Sequence, residues 1–258
     1  MATIKVGDLN IGYQERGAGE AIVFLHGVGS DISTWDEQLN YFSEMWRAVA
    51  LEYPGYGASD LPAKGLSRRD IAHYLFGAMD GLTINTAHMV GLSMGGVMCL
   101  EMALQQPARL RSLTLVDTFA YHPNGSVILK NLHKDISAMP MLEFARSRVG
   151  LIVSPGASGS VKQEVIRTMA KIAKETYRWS TRAVWTSDYR RELPHITIPA
   201  LVAIGEHDQL TPKVLSEALH RGIAGSKLVV IPGAGHLSNL ENPAFFDRMV
   251  EDFILSVE

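Results

Sequence analysis

Disulfide bonding is excluded at the outset, because the 258-residue chain has one cysteine, Cys99. A single thiol cannot close an intramolecular bridge and offers no cluster for a structural metal. Runs of like charge are also missing: 24 Lys and Arg stand against 27 Asp and Glu, a net charge of −3. That balance argues against nucleic acid as the main partner and against electrostatic attachment to a membrane. No apolar run approaches the length that spans a bilayer. The first residues, Met1 to Asp8, show no basic segment followed by an apolar one. A signal peptide is therefore not expected, and a cytoplasmic location is. Repeats and low-complexity segments are lacking too. What is present is an ordinary globular composition, 47% hydrophobic and 20% charged, able to bury a core. The length suits one large domain with at most a small insertion.

The most informative stretch is Gly91-Leu92-Ser93-Met94-Gly95-Gly96. An apolar run, Ala87 to Val90, precedes it and reads as a buried strand; Val97 to Leu104 follows and reads as a buried helix. A serine at such a reversal, with glycine two residues to either side, is held in a strained backbone where flanking side chains would collide. Its hydroxyl then projects at a helix N-terminus, where backbone N–H groups can stabilise an oxyanion. Gly-x-Ser-x-Gly alone arises by chance about one time in ten in a chain this long. Serine is moreover a poor nucleophile without a base, so a histidine and a carboxylate must be found.

Residues 3 to 16 alternate in polarity around Gly7-Asp8 and read as a β-hairpin. Ala21 to Leu25 is a continuous apolar run ending in His26-Gly27-Val28-Gly29-Ser30, and Ala48 to Leu51 is the next strand. Arg68 to Leu82 has the spacing of an amphipathic helix, and Leu110 to Val116 is a further strand ending at Asp117. This alternation implies a mostly parallel sheet with helices on both faces, and ligands at the C-terminal strand ends. From about Phe119 to Arg190 no strand pattern persists. Three helices, Val127 to Met139, Met141 to Ile152 and Val161 to Trp185, are expected there, forming a cap after the sixth strand. The expected division is a core of residues 1–118 and 191–258 with a cap of 119–190. Met139, Met141, Trp179, Trp185 and Tyr189 are apolar enough to line a pocket, although packing between helices explains them as well. Strands resume at Ile198 to Gly205 and Lys227 to Ile231, and Pro243 to Leu255 closes the chain as a helix.

Among nine histidines, His236 lies in a glycine-rich loop after the last strand, from which it can reach over the sheet. His26 is placed to brace the glycine-rich loop beside it. Asp208 and Asp117 both sit at strand ends. Asp208 is preferred as the carboxylate that orients the histidine, and Asp117 is the substitute, otherwise a cap or loop anchor. The N–H groups of Val28 and Met94 are the expected oxyanion donors; the other reading of the Val28 loop is a tight turn. Gly27, Trp35, Trp185 and Leu237 are possible substrate contacts, with a core position favoured for Trp35. No metal or organic cofactor is implied.

Gly91-Leu-Ser-Met-Gly95, His26-Gly27-Val28-Gly29, Gly205-Glu-His-Asp208 and Gly235-His236, in this order and at these strand ends, resemble the α/β-hydrolase superfamily across essentially the whole chain. The resemblance implies Ser93 as nucleophile, His236 as base, Asp208 as acid, and Val28 and Met94 N–H as oxyanion hole. Serine at position 93 disfavours members that need a carboxylate nucleophile. His236-Leu-Ser-Asn-Leu-Glu241, together with the serine motif, resembles 3-oxoadipate enol-lactonases. Their substrates are dicarboxylates, which call for cationic groups, and Arg146, Arg148, Arg182 and Arg190 are those the cap offers. The expectation is a serine hydrolase, an esterase or lactonase, acting on a small-molecule carboxylic ester or lactone. The alternatives are a carbon–carbon bond hydrolase of aromatic ring-cleavage products and, in a different class, a ligand receptor on the same fold.

Overall fold

The computed structural model describes residues 2–257. The hairpin β1 (Ala2–Val6) and β2 (Leu9–Arg16) turns at Gly7, whose positive φ of 57° suits glycine. The continuous apolar run becomes β3 (Ala21–Leu25), every residue of which is buried. Helix α1 (Asp36–Phe42) leads into β4 (Arg47–Leu51), and Ser67 opens α2 (Arg68–Gly81) with a capping box closed by Asp70. Strand β5 (Ala87–Leu92), helix α3 (Met94–Gln105) and strand β6 (Leu110–Val116) follow.

The eight strands form one sheet in the order β1-β2-β4-β3-β5-β6-β7-β8, with β7 (Ala200–Gly205) and β8 (Lys227–Ile231) at the far edge. The pairings β1·β2 and β2·β4 are antiparallel and the others parallel. Register brings the strand ends into line: Leu25 pairs with Gly91, Gly91 with Leu115, Val116 with Ala203, and Gly205 with Ile231. The loops that follow β3, β5, β7 and β8 therefore meet over one edge of the sheet, as a parallel sheet requires of its ligand site. Helix α8 (Lys213–Gly222) lies between β7 and β8 in the chain, and α9 (Ser238–Glu241) and α10 (Pro243–Leu255) complete it.

Between β6 and β7 lie four helices: α4 (Gly125–Ala138), α5 (Met141–Ile152), α6 (Gly159–Lys171) and α7 (Lys174–Trp185). The sequence pattern gives three, because nothing in Val161 to Trp185 breaks a helix by composition. The structure breaks it at Ile172 and Ala173, both extended, with ψ of 130° and 137°. A straight 25-residue helix would be about 37 Å long. The turn instead lets Val165 and Met169 of α6 and Tyr177, Thr181 and Val184 of α7 face one cavity. A bridge between Tyr121 and Asp188 joins the two ends of this segment.

Candidate active site

Ser93 occupies the turn between β5 and α3 with φ 56° and ψ −113°, a left-handed conformation costly for any residue with a Cβ. Its surroundings over-determine that geometry. The Ser93 N–H donates to the Val116 carbonyl at 2.9 Å, and its carbonyl accepts from Thr118 Oγ1 at 2.7 Å. A Cβ on Gly91 would collide with the Gly95 carbonyl, and one on Gly95 with the Leu25 carbonyl. Both glycines are thus required by close backbone approach. Met94 is the first residue of α3, so its N–H has no acceptor inside the helix.

His236 follows β8 and turns toward the same edge. Its Nδ1 lies 2.8 Å from Asp208 Oδ2, with the two side chains 5% and 0% exposed. Asp208 also accepts from Leu210 N at 2.8 Å, Thr211 N at 2.9 Å and Thr211 Oγ1 at 2.5 Å. Burial by itself would push the Asp208 carboxyl up and the imidazole down. The mutual attraction of the pair wins in both: Asp208 falls below the usual carboxylate range and His236 rises above the usual histidine value. The His236 ring is held from behind, since its backbone N–H donates to Ile152 O at 2.8 Å.

Asp117, the other strand-end carboxylate, does not meet the histidine ring in a hydrogen bond. It is fully buried, also left-handed at φ 47°, and takes Gly205 N on Oδ1 at 2.7 Å and Ser238 Oγ on Oδ2 at 2.6 Å. Burial first, then the charge of Asp208, push its carboxyl up to about 8. It anchors the loops that carry Asp208 and His236.

Val28 lies in the loop after β3, which is fixed from beneath by His26 and by three groups the sequence did not single out, Glu52, Tyr53 and Tyr56. His26 Nε2 meets Glu52 Oε2 at 2.9 Å, both side chains fully buried, and Glu52 Oε1 accepts Ile32 N at 3.1 Å. Tyr53 Oη donates to His26 O and Tyr56 Oη to Val28 O, at 2.9 and 3.0 Å. From above, Thr168 Oγ1 of α6 donates to Gly29 O at 3.1 Å, and Tyr56 Oη lies 2.6 Å from Ser180 Oγ of α7. The bracing position of His26 could be read from its neighbours in the chain. Glu52, 26 residues away, could be traced only by pairing the ends of β3 and β4.

Ser93 and His236 line a cavity that encloses about 610 Å³ of empty space, part of it open solvent. Gly27, Val28, Trp185 and Leu237 line it as well. Trp35 does not, which corrects the expectation of a substrate contact there and leaves the core position: it is fully buried between the Phe24 and Phe246 rings, at 5.1 and 6.0 Å. An indole wedged into the sheet–helix core buries more apolar surface there than it could in a loop. Of the expected cap side chains only Trp185 reaches the cavity. Trp179 packs edge-on against Tyr56, and Tyr189 donates to Glu101 Oε2 at 2.5 Å. The walls are completed by Leu132, Arg148, Ile152, Val165, Met169 and Tyr177, which no motif marks. Among the described residues no group of three or more His, Cys, Asp or Glu side chains could hold a metal ion, and no helix is long and apolar enough to cross a membrane.

A family model described as the alpha/beta hydrolase family matches residues 22–248. The chain is 26% identical over 245 residues to 3-oxoadipate enol-lactonase 1 of Acinetobacter baylyi, covering 92% of this chain and 90% of that one. It is 28% identical over 270 residues to a 2-hydroxy-6-oxononadienedioate/2-hydroxy-6-oxononatrienedioate hydrolase of Paraburkholderia phymatum, covering 96% and 91%. Among solved structures, the enol-lactonase from Burkholderia xenovorans superposes with a TM-score of 0.92 at 26% identity, covering 98% of this chain and all of that one.

Proposed function

The chain belongs to the alpha/beta hydrolase family and is an enzyme of that family, and on that premise we propose that it cleaves a small carboxylic ester or lactone through a Ser93–His236–Asp208 triad. The observation that carries this reading is the buried His236–Asp208 pair, 2.8 Å apart, on the cavity that a backbone-strained serine also lines. Asp208 takes the proton side of Nδ1, which leaves Nε2 as the basic nitrogen. His236 Nε2 removes the Ser93 proton as Oγ attacks the carbonyl carbon. Charge develops on the carbonyl oxygen, and the N–H groups of Val28 and Met94 are its donors. His236 then protonates the departing alkoxide, and the alcohol, or the opened end of a lactone, leaves an acyl-enzyme. Water, deprotonated by His236, attacks the acyl carbon; the C–Oγ bond breaks, and serine and free acid are regenerated.

Residues 119–190 serve in this reading as the cap that shapes the pocket, over a core of 1–118 and 191–258. Similarity to the dioate hydrolase of Paraburkholderia phymatum, at 28% identity, favours one further reading, hydrolysis of a carbon–carbon bond with the same three residues. A panel of p-nitrophenyl esters, small lactones and a chromogenic ring-cleavage product, run on wild type and Ser93→Ala, tests both. Ser93-dependent turnover of esters or lactones alone supports the first reading, with a loss of about a thousandfold or more in the variant. Turnover of the ring-cleavage product alone replaces it with the second. Full activity in Ser93→Ala removes both.

A further inference from the structure

The Val28 N–H shares its planar peptide with Gly27 O, and the successive carbonyls of Gly27, Val28 and Gly29 are each held by a side chain. Gly27 O accepts from His26 Nδ1 at 2.8 Å and from Ser30 N at 3.2 Å. Val28 O accepts from Tyr56 Oη at 3.0 Å, and Gly29 O from Thr168 Oγ1 at 3.1 Å. The last two holds lead into the helical segment: Thr168 lies in α6, and Tyr56 Oη meets Ser180 Oγ of α7 at 2.6 Å. Tyr56, Thr168 and Ser180 are each 2% exposed or less. The loop that carries Tyr56 is itself pressed onto α7, since a Cβ on Gly55 would lie 2.8 Å from Thr176 Oγ1.

Three contacts in this chain share two hydroxyl protons: Val28 O to Tyr56 Oη, Oη to Ser180 Oγ, and Oγ to Thr176 O at 2.6 Å. The carbonyls only accept, and two oxygens 2.6 Å apart need a proton between them. Were Ser180 to donate to Thr176 O, Tyr56 would have to donate to Ser180, and Val28 O would be left bare. Val28 O has no other donor among the described residues, whereas Thr176 lies inside α7, where the helix serves its carbonyl. The order that leaves neither carbonyl unpaired is therefore Ser180 Oγ–H to Tyr56 Oη, and Tyr56 Oη–H to Val28 O.

We propose that Tyr56 is a positioning residue for the oxyanion donor Val28 N–H, and that Ser180 of the helical segment fixes the direction of the Tyr56 proton. The proposal rests on the reading of Ser93 as the attacking group and of Val28 N–H as a donor to the oxygen that becomes negative. Tyr56 does not line the cavity and touches no substrate. Its hydroxyl stops the Val28–Gly29 peptide from turning, and with it the peptide before, so the N–H is in place before charge develops. A donor set in advance acts on the transition state and little on the bound substrate.

The test measures Tyr56→Phe, Ser180→Ala and the double variant on p-nitrophenyl butyrate. Tyr56→Phe is expected to lose about 10- to 100-fold in kcat, with KM within about twofold of wild type. Ser180→Ala should lose less, and the double variant no more than Tyr56→Phe, because the serine acts through the tyrosine. Two ketones separate positioning from general damage. A trifluoromethyl ketone with a butyl chain bonds to Ser93 Oγ at its carbonyl carbon, the serine proton passing to His236 and the charge to the ketone oxygen. Its affinity should fall in step with kcat, while the methyl ketone of the same chain, which stays unreacted, should bind wild type and variant alike. Unchanged kcat in a Tyr56→Phe protein that melts normally, losses that add in the double variant, or equal weakening of both ketones overturns the proposal. Hydrogen exchange reads the link without turnover: the amides of residues 27–30 should exchange about tenfold faster in Ser180→Ala, a change made in the helical segment alone. Exchange equal to wild type overturns the proposal even if the triad stands. Full ester hydrolysis by Ser93→Ala, with exchange still faster in Ser180→Ala, removes the triad reading and leaves the Tyr56 link in place.

Discussion

At the scale of single residues, the site is governed by three buried ionisable groups that share one field. In the proposed mechanism His236 must be neutral to accept the serine proton, so kcat/KM is expected to fall on the acid side as the ring gains its own. Burial works to lower its pKa, but the charge and hydrogen bond supplied by Asp208 raise it above 6.5. The acid limb of the kcat/KM profile is therefore expected above pH 6.5. Asp208→Asn should move that limb to lower pH while cutting kcat by about three decades. A limb that stays in place would show that Asp208 does not set the ring's charge. Asp117 acts on stability instead. Its carboxyl is held up to about 8 when folded, against 3.8 when free, so unfolding releases a proton between those values. A raised carboxylate pKa stabilises the fold below about pH 4, and that contribution is lost as pH rises to about 8. Asp117→Asn mimics the neutral acid, keeping an acceptor for Gly205 N and offering a donor to Ser238 Oγ. It should melt close to wild type at pH 5 and roughly 5 °C or more above it at pH 9. Thermal melts across that range decide it; a gap that does not grow with pH shows that Asp117 is ionised throughout.

At the scale of elements, the sequence is legible wherever backbone sterics or burial dictate the residue. The strands of the central sheet were readable because β3, β5 and β7 are buried along their whole length and appear as apolar runs, broken only by His88 in β5. The serine turn was readable because a Cβ at Gly91 or Gly95 has nowhere to go. His236 and Asp208 were readable because parallel strands deliver their C-terminal loops to one edge. The four-helix segment was less so. Its helices were visible by period, but the break at Ile172-Ala173 has no glycine or proline and exists because α6 and α7 each pack their own apolar face. Which arginine faces inward was hidden for the same reason: Arg146 and Arg148 lie two positions apart, and only the angle at which α5 settles over the sheet separates an exposed side chain from a cavity wall. Glu52 and Glu241 were missed as braces because their partners are distant in the chain or are backbone atoms, which leave no motif.

At the scale of the whole molecule, the active-site edge is assembled from both the sheet and the helical segment laid on it. The histidine loop hangs from α5 as much as from β8: His236 N donates to Ile152 O, while Glu241 takes Gly235 N on Oε1 at 3.0 Å and Ser154 N on Oε2 at 2.8 Å. One carboxylate thus ties the residue before the proposed base to Ser154, two residues past the end of α5. Gly235 leaves no room for alternatives, since a Cβ there would lie 2.5 Å from Ser154 N. A site built across two bodies is sensitive to their relative placement, and a shift of about 1 Å in a base can cost about two decades in rate. Glu241→Ala orphans two backbone N–H groups, each costing about 1–3 kcal/mol if water cannot reach it. Since the residue itself is half-buried, water will meet part of that need, and the expected loss of stability is about 1–2 kcal/mol. Activity should suffer more, with kcat down about 10- to 100-fold and KM for small esters less affected, because the loop would still form but no longer hold the ring in register with Ser93. Glu241→Gln, which keeps one acceptor, should fall between. Parallel melts and steady-state kinetics on both variants separate the effects. A kcat that falls only in step with the folded fraction would mean that β8 and Asp208 alone position the base, and that the helical segment shapes the pocket without holding the catalytic group.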